Sequence, residues 1–186
     1  MSLVLESVVT QAHNYVQAQA QIHSDETSFS QGNCDGHNPK QRQGWLWVVV
    51  TKLISIFEVS LNRGQVTAKQ MIGEEYTGIM ISDRYSSYNW LEVEQRQVCW
   101  AHLKRDLTAM AERSGVSQII GAALLKRQQR LFRWWHRVRD GTLKRSTFIV
   151  YMRLVQRRVE SLLAEGAAVP NAKTARTCAK LLKRSD

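Results

Sequence analysis

The sequence is poor in cysteine and contains no long apolar run. Its 186 residues include three cysteines, at positions 34, 99 and 178, and this odd and scattered set does not suit a disulfide framework. No apolar run approaches the roughly 20 residues that a membrane-spanning helix needs. The first residues lack the basic start and the long apolar core of a signal peptide. We therefore expect a cytoplasmic protein with no membrane partner.

Acidic residues are scarce in the second part of the chain. Residues 101–186 carry 19 Lys and Arg against 6 Asp and Glu, a net charge of +13, whereas residues 1–100 carry 7 against 10, a net charge of −3. Such a basic region favours binding to a polyanion such as nucleic acid. The alternative is a helical surface whose charges only keep the protein in solution.

Alternation of apolar and polar residues predicts two short strands that each end in an aspartate. The first runs from Val16 to Asp25 and the second from Gly78 to Asp83. Ligands commonly bind at the carboxyl ends of strands in α/β sheets, so two neighbouring ends would let Asp25 and Asp83 share a divalent cation. The simpler explanation for either aspartate alone is that it caps the following turn.

The remaining pattern of the first part predicts three more strands and one helix. We expect strands over 44–52, 55–62 and 95–100, an exposed hairpin loop over 26–43, a helix over 63–73 and an irregular segment over 84–91. Strand 44–52 should be buried on both faces, and the helix should bury Val66, Met71 and Ile72. A right-handed crossover would pair strand 78–83 in parallel with the first strand. This order of elements is that of the ribonuclease-H-like fold, an α/β class with a mixed sheet of about five strands.

From residue 101 the apolar period becomes that of helices. We expect one helix to stop near residues 114–115, a longer one to end at 140–141, a third to end by Gly166, and a fourth to open at Pro170. The apolar stripe of the longer helix begins at Val116 and Ile119, and the two long helices should form an antiparallel hairpin. The predicted organisation is a linker or N-terminal helix over 1–15, an α/β core over 16–113 and a basic helical region over 114–186.

Four motifs, in a fixed order, resemble the catalytic core of transposases of the insertion sequence 66 family. They are HSDET (23–27), GWLWVVVT (44–51), SDRYSSYN (82–89) and CWAHLKRDL (99–107). The resemblance runs from about residue 21 to the end of the chain. It implies a DDE-type nuclease and strand transferase of a bacterial mobile element. Its substrate would be double-stranded DNA, both the element ends and the target, and a homo-oligomer would be compatible with it.

The resemblance also implies roles for individual residues. Asp25 and Asp83 occupy the positions of the first and second catalytic acids, which would bind Mg²⁺ or Mn²⁺ and so assist phosphodiester cleavage. The segment that begins at Cys99 would place three supporting residues near the active site, namely His102, Arg105 and Asp106. The residues expected to contact DNA are Lys104, Arg105, Lys126, Arg127, Arg130, Arg133 and Arg137.

The chain departs from the family pattern at the third acid. That acid is a glutamate in an Asn-x-Ala-Glu-Arg-like segment, and no such segment occurs before Asp186. Glu160 and Glu165 lie in the wrong context to replace it, and the N-terminal DNA-recognition region is missing as well. We therefore expect a fragment or the product of a degenerate element that does not catalyse the reaction by itself.

Two weaker patterns have simpler explanations. Cys34 with His37 and Cys99 with His102 have spacings that suit a structural zinc, but the first pair looks like a local insertion, so we do not expect zinc. Phe132, Trp134 and Trp135 lie among arginines and could stack on bases, although packing within the helical hairpin is the favoured role for the two tryptophans.

Two other functions stay open at this stage. A non-catalytic DNA-binding or regulatory protein could keep the fold and the basic helices. Another nuclease of the same fold, such as a resolvase or an RNA–DNA hybrid nuclease, would have a similar pair of acids, but the ordered motifs argue against it.

Overall fold

A computed structural model describes residues 3–183 of the chain, and residues 1–2 and 184–186 of the predicted terminal segments lie outside this range. The chain divides into two compact units, Met1–Cys99 and Trp100–Asp186. The sequence analysis drew the corresponding boundary between residues 113 and 114. The helix that starts at Trp100 therefore belongs to the second unit.

The first unit is a five-stranded mixed sheet with two helices. Its elements are α1 (Leu3–Gln17), β1 (Gln21–Phe29), β2 (Gly44–Val50), β3 (Ser55–Ser60), α2 (Gln65–Ile72), β4 (Ile79–Ser82) and β5 (Arg96–Val98). The strand order is β3-β2-β1-β4-β5. β1 pairs antiparallel with β2, and β2 antiparallel with β3, whereas β1 pairs in parallel with β4 and β4 in parallel with β5. This topology confirms the predicted α/β, ribonuclease-H-like class.

The start of the first predicted strand is wrong. Val16 is fully buried in the last turn of α1, and the amide of Gln19 donates to its carbonyl at 3.1 Å where the helix ends. The chain turns between α1 and β1. Residues 16–20 therefore do not form a strand, although apolar and polar residues alternate there. Glutamine and alanine occur at helix ends as well as in strands, so their alternation does not distinguish the two structures.

The end of that strand is also wrong, because β1 continues to Phe29. Residues 26–29, which the sequence assigned to a loop, pair with β2 as far as Phe29 opposite Gly44. Asp25 therefore lies inside β1 and not at its carboxyl end. The loop proper is 30–43, where four hydrogen bonds tie Asn38 to its neighbours.

Burial differs between the two faces of the sheet. Trp47 and Val49 of β2 have no exposed surface, while Val50 on the other face is 37% exposed, so β2 is not buried on both faces as predicted. The reason is that one face of an antiparallel pair can stay open to solvent. In α2, Met71 is buried as expected but Val66 is 60% exposed. The two residues are five positions apart, which separates their side chains by about 140° around the helix, so they do not share one face.

The buried face of the sheet, called the covered face below, packs on the helices and forms the core of the first unit. This core consists of Val16, Ile22, Trp47, Val49, Ile56, Ala68, Met71, Ile72, Tyr76, Met80, Tyr88 and Leu91. The opposite face is called the open face. Its exposed apolar side chains are Phe29, Val50, Phe57, Val59 and Ile79.

The second unit contains four helices: α3 (Trp100–Ala111), α4 (Val116–Arg139), α5 (Arg145–Ala167) and α6 (Ala172–Leu182). The ends of α4 and α5 and the start of α6 lie within two residues of the predicted positions, whereas α3 ends three residues before the predicted stop near 114–115. The turn after α4 contains Gly141 at φ +74, and the Asn171 side chain accepts from the Thr174 amide at 3.1 Å to cap α6. Val116 and Ile119 are 54% and 67% exposed, so the buried apolar stripe begins at Ile120, four residues after the predicted start at Val116.

A close approach of α3 and α4 organises this unit. A Cβ at Gly121 would overlap the backbone of Met110 and Ala111, so only glycine lets the helices pack at this distance. The core around this contact contains Leu107, Met110, Ile120, Leu124, Leu162, Leu163, Cys178 and Leu181. Among the described helices, none is both long and apolar enough to cross a membrane.

Candidate active site and nucleic-acid interface

The register of β1 and β4 relates the two aspartates that the sequence singled out. His23 lies opposite Ile81 in the parallel pair. The pairing ends at these two residues: Asp25 follows two residues later within β1, on the face that His23 occupies, whereas Asp83 follows two residues after Ile81, in the turn after β4. A continuation of this register would bring the two aspartates level with one another, which stays a prediction. Neighbouring strands are about 4.8 Å apart. Asp25 is exposed on the open face and Asp83 is half-buried.

Local hydrogen bonds orient both carboxylates. Oδ1 of Asp25 accepts from the Glu26 amide at 3.0 Å, and Oδ1 of Asp83 accepts from the Tyr85 amide at 2.8 Å. The contact of Asp83 is an Asx turn. Asp83 therefore caps the turn that follows it, which is the simpler of the two roles considered for an aspartate at a strand end. Because β4 ends at Ser82, the orientation of Asp83 depends on this loop.

The donor set suits a hard divalent cation. Carboxylate oxygens are the ligands that Mg²⁺ and Mn²⁺ prefer, and two of them on one sheet face can hold such an ion with water completing the shell. Within the described residues 3–183, no group of three or more His, Cys, Asp or Glu side chains that could hold a metal ion occurs. A two-carboxylate site formed by Asp25 and Asp83 stays a prediction, as does a cation bound there.

Glu26, next to Asp25, lies on the covered face. Its side chain has no exposed surface, and its carboxylate accepts from Arg63 Nη2 at 2.9 Å and from the Tyr88 hydroxyl at 2.7 Å. Burial raises the pKa of Glu26, the hydrogen bond from Tyr88 opposes this rise, and the nearby charge of Asp83 adds to it. Burial and the Glu26 charge also raise the pKa of Tyr88, which keeps its hydroxyl protonated as a donor.

The sequence analysis did not identify Glu26, Arg63 or Tyr88 as site residues. Glu26 and Tyr88 stand inside the motifs HSDET and SDRYSSYN, in which only the aspartates were predicted as site residues. The sequence does indicate that Glu26 is buried, because strand alternation puts it on the same face as Ile22 and Ser24. A carboxylate on a buried face needs hydrogen-bonding or charged partners. Arg63 stands outside all four motifs.

Four of the five predicted DNA-contacting residues of α4 form one exposed row, called the basic row below. Lys126, Arg130, Arg133 and Arg137 are spaced by four, three and four residues, and all four are exposed. This spacing puts them on one side of the helix over roughly 16 Å, at 1.5 Å per residue. Arg127 points about 100° away and is only half-exposed, so it does not belong to this basic row.

The remaining predicted site residues lie on α3. Lys104 and Arg105 are exposed, whereas His102 and Asp106, one helical turn apart, are half-buried. Their proximity to the aspartates of the first unit stays a prediction.

The aromatic rings of the helical hairpin pack on one another. Trp134 lies 4.6 Å from Tyr151, Trp135 lies 6.1 Å from Phe148, and Phe132 contacts Trp100 at 5.5 Å, all between ring centroids. The favoured packing role of Trp134 and Trp135 is therefore confirmed. Trp135 still keeps 41% of its surface exposed.

The side chains of the loop 30–43 interact locally. Nδ1 of His37 lies 3.2 Å from Asp35, and the His37 amide donates to the same carboxylate, which lowers the pKa of Asp35. Cys34 is exposed in this loop and Cys99 is half-buried.

Comparison with known proteins identifies a family. The model of a protein family described as Transposase IS66 family matches residues 1–186. No match was found among the curated proteins or among the solved structures.

Proposed function

The chain belongs to the IS66 family of transposases, and we propose that its first unit carries two acids of a DDE-type active site while its second unit contacts DNA. Family membership implies a protein that acts on DNA. The observation that supports the proposal is the parallel pairing of β1 with β4, which ends two residues before Asp25 and Asp83 and which, if continued, would bring them level.

The chemistry expected at this face is attack on a phosphodiester by water or by a DNA 3′-hydroxyl. A divalent cation bound there would lower the pKa of the attacking oxygen and neutralise charge on the leaving oxygen. Asp25 would hold the cation from the exposed side of β1. Asp83, oriented by the Tyr85 amide, would hold it from the end of β4.

The basic row on α4 supports the DNA contact. Four exposed cations over roughly 16 Å match the rise of about five base pairs at 3.4 Å each, so the row can lie along one stretch of phosphate backbone. Contacts of this type position a duplex without reading its sequence. Lys104 and Arg105 would extend the contact from α3.

One observation favours a second candidate, a DNA-binding protein without nuclease activity. The described residues 3–183 include no third metal-binding side chain grouped with the two aspartates. We propose that a third carboxylate is needed for catalysis and that this chain alone binds DNA without cutting it.

A Mn²⁺ titration of the purified chain tests the two-acid site. The parent should bind Mn²⁺, and Asp25→Asn and Asp83→Asn should each weaken binding by more than about tenfold, because each removes a charged ligand. Glu75→Gln is the matched control, since it removes one exposed negative charge of the first unit outside the site. Equal Mn²⁺ affinity in the parent and in Asp25→Asn would show that the proposed site is wrong.

A further inference from the structure

Behind the two aspartates, on the covered face, three side chains far apart in the sequence share hydrogen bonds. Arg63 donates to Oε1 of Glu26 from Nε at 3.1 Å and from Nη2 at 2.9 Å. Tyr88 donates to Oε2 of Glu26 at 2.7 Å, and its hydroxyl lies 3.1 Å from that of Ser24. Both carboxylate oxygens of Glu26 are therefore engaged.

Two aromatic rings enclose the guanidinium of Arg63. The Cζ atom lies 3.8 Å from the centroid of Tyr85 and 4.4 Å from that of Trp45. Stacking of this kind favours a planar guanidinium over an ammonium group, so lysine could not replace Arg63 here. Tyr85 supplies both this ring and the amide that orients Asp83.

The backbone at Arg63 is held as well. Ser87 donates through Oγ to the Arg63 carbonyl at 2.7 Å, and Nε1 of Trp47 donates to the carbonyl of Asn62 at 3.1 Å. The connection between β3 and α2 is thus attached to the loop after β4 on one side and to β2 on the other. Tyr88 packs edge-on against Trp47, with ring centroids 6.2 Å apart.

We propose that Glu26, Arg63 and Tyr88 form a positioning clamp that sets the relative placement of Asp25 and Asp83. Glu26 is the next residue after Asp25 on β1, and Tyr85 and Tyr88 belong to the loop that starts at Asp83. The clamp joins this loop to β1 from the covered face, and so leaves the open face to cation and DNA. This inference rests on the proposed two-acid site, because a clamp needs two ligands to align.

The clamp acts where the strand pairing of β1 and β4 ends. That pairing covers only residues 21–23 of β1 and 79–81 of β4, so it ends before either aspartate. Beyond it, the contacts through Glu26 tie the loop to β1. A misplacement of about 1 Å in a catalytic group can cost on the order of a hundredfold in rate, so small changes in these contacts should matter.

The test compares clamp variants with a variant that only loosens the core. Tyr88→Phe removes one hydroxyl and keeps the ring on Trp47, and Arg63→Lys keeps the charge but loses the double contact with Glu26. Ile72→Val is the matched control, because it removes one methylene from the same core without touching the clamp. Each variant is studied at a temperature at which denaturation curves show it to be folded.

Two measurements are made on each variant. One is Mn²⁺ affinity, which we expect to fall about tenfold in both clamp variants and to stay unchanged in Ile72→Val. The other is hydrogen exchange of the Tyr85 amide, which needs no metal. We expect this amide to exchange at least about tenfold faster in the clamp variants, relative to amides in β2, and to keep the parent rate in Ile72→Val.

The outcomes separate the clamp from the site itself. If the clamp variants keep both the Mn²⁺ affinity and the Tyr85 exchange rate of the parent, the clamp is overturned and the contacts serve stability alone. The clamp is also overturned if Ile72→Val shows the same losses. If Asp25→Asn leaves Mn²⁺ binding unchanged, the two-acid site fails, and faster exchange at Tyr85 would then support only the tie between the loop and β1.

Discussion

Arg63 donates two hydrogen bonds to one oxygen of Glu26, a residue 37 positions earlier whose side chain has no exposed surface. About a third of the Arg63 side chain is exposed, so the pair lies at the border of the core and not deep within it. Such a pair couples the start of α2 to the middle strand of the sheet. Removing Arg63 leaves the buried Glu26 carboxylate without its cation and with only the hydrogen bond from Tyr88.

Arg63→Met should therefore destabilise the first unit markedly. We expect a loss of about 2–3 kcal/mol, less than the roughly 3–5 kcal/mol for a fully buried pair, because solvent reaches Arg63. The double variant Arg63→Met with Glu26→Gln should recover part of this loss, since a neutral amide needs no cation. Urea denaturation of both variants measures these values, with Arg42→Met in the exposed loop as the control. Equal stability of Arg63→Met and the parent would contradict the expected cost.

DNA binding should depend on the basic row and on salt. Reversing Arg130, Arg133 and Arg137 to Glu should weaken duplex binding by more than about tenfold and should reduce the slope of log K against log salt by roughly 3. Asp25→Asn should bind DNA as tightly as the parent or slightly more tightly. Fluorescence anisotropy with a labelled duplex between low and moderate salt gives both quantities.

A second charge reversal separates the basic row from net charge. Lys173, Arg176 and Lys180 are exposed on α6, and reversing them changes the net charge by the same amount in the same unit. This control should lose much less affinity than the variant of the basic row. If the two triple variants weaken DNA binding equally, the affinity depends on the net positive charge of the second unit and not on the position of the basic row.

The chain alone should not nick DNA at a useful rate. Mg²⁺ needs near-ideal octahedral geometry, and two carboxylates leave a moving phosphate poorly restrained, which should cost more than about a hundredfold in rate. In Mn²⁺ buffer, supercoiled plasmid should be nicked no faster by the parent than by Asp83→Ala. Nicking by the parent that Asp83→Ala abolishes would place a complete set of ligands within these 186 residues.

The thiol of Cys178 should be protected by its environment. The residue has no exposed surface, and burial raises its pKa above the ordinary 9.0, with Arg113 acting in the opposite direction. In the native protein at pH 8, a thiol reagent should label Cys34 quickly and Cys178 only after unfolding. Cys34→Ser should remove the fast phase.

The same pKa shift has a consequence for stability at high pH. Because folding raises the pKa of Cys178, its contribution is fully present below pH 9 and is lost as the pH rises through the folded value. The difference in unfolding free energy between the parent and Cys178→Ala should therefore shrink from pH 8 to pH 10. A constant difference would mean that the thiol titrates alike in both states.

Sequence reasoning worked where one interaction dominates a segment. The strands from 55 and from 79 were found because alternation reflects the burial of one face, and α4 ended at its glycine turn as predicted. The predicted strand start at Val16 was wrong, because the alternation of apolar and polar residues there suits a helix end as well as a strand. The predicted burial of Val66 was wrong as well, since it depends on where α2 lies relative to the sheet.

The candidate site was predictable only in part. The aspartates could be found because their residue type and strand context indicate a ligand. Glu26 could not be interpreted in the same way, because its partners Arg63 and Tyr88 are brought to it by the tertiary fold, 37 and 62 residues away. No local pattern predicts which distant cation or hydroxyl a buried carboxylate will meet.

The long helices of the second unit are unevenly supported along their length. Buried residues of α4 lie between Ser117 and Leu124, and those of α5 between Val155 and Gly166, while none of residues 125–154 is buried. The outer half of the hairpin is held by ring pairs and so should open at a lower free-energy cost than its base. The basic row lies on this outer, less stable half of the hairpin. If the basic row binds a duplex as proposed, binding would restrict the motion of the segment that supplies the cations, which would lower its affinity and let it follow DNA of different curvature.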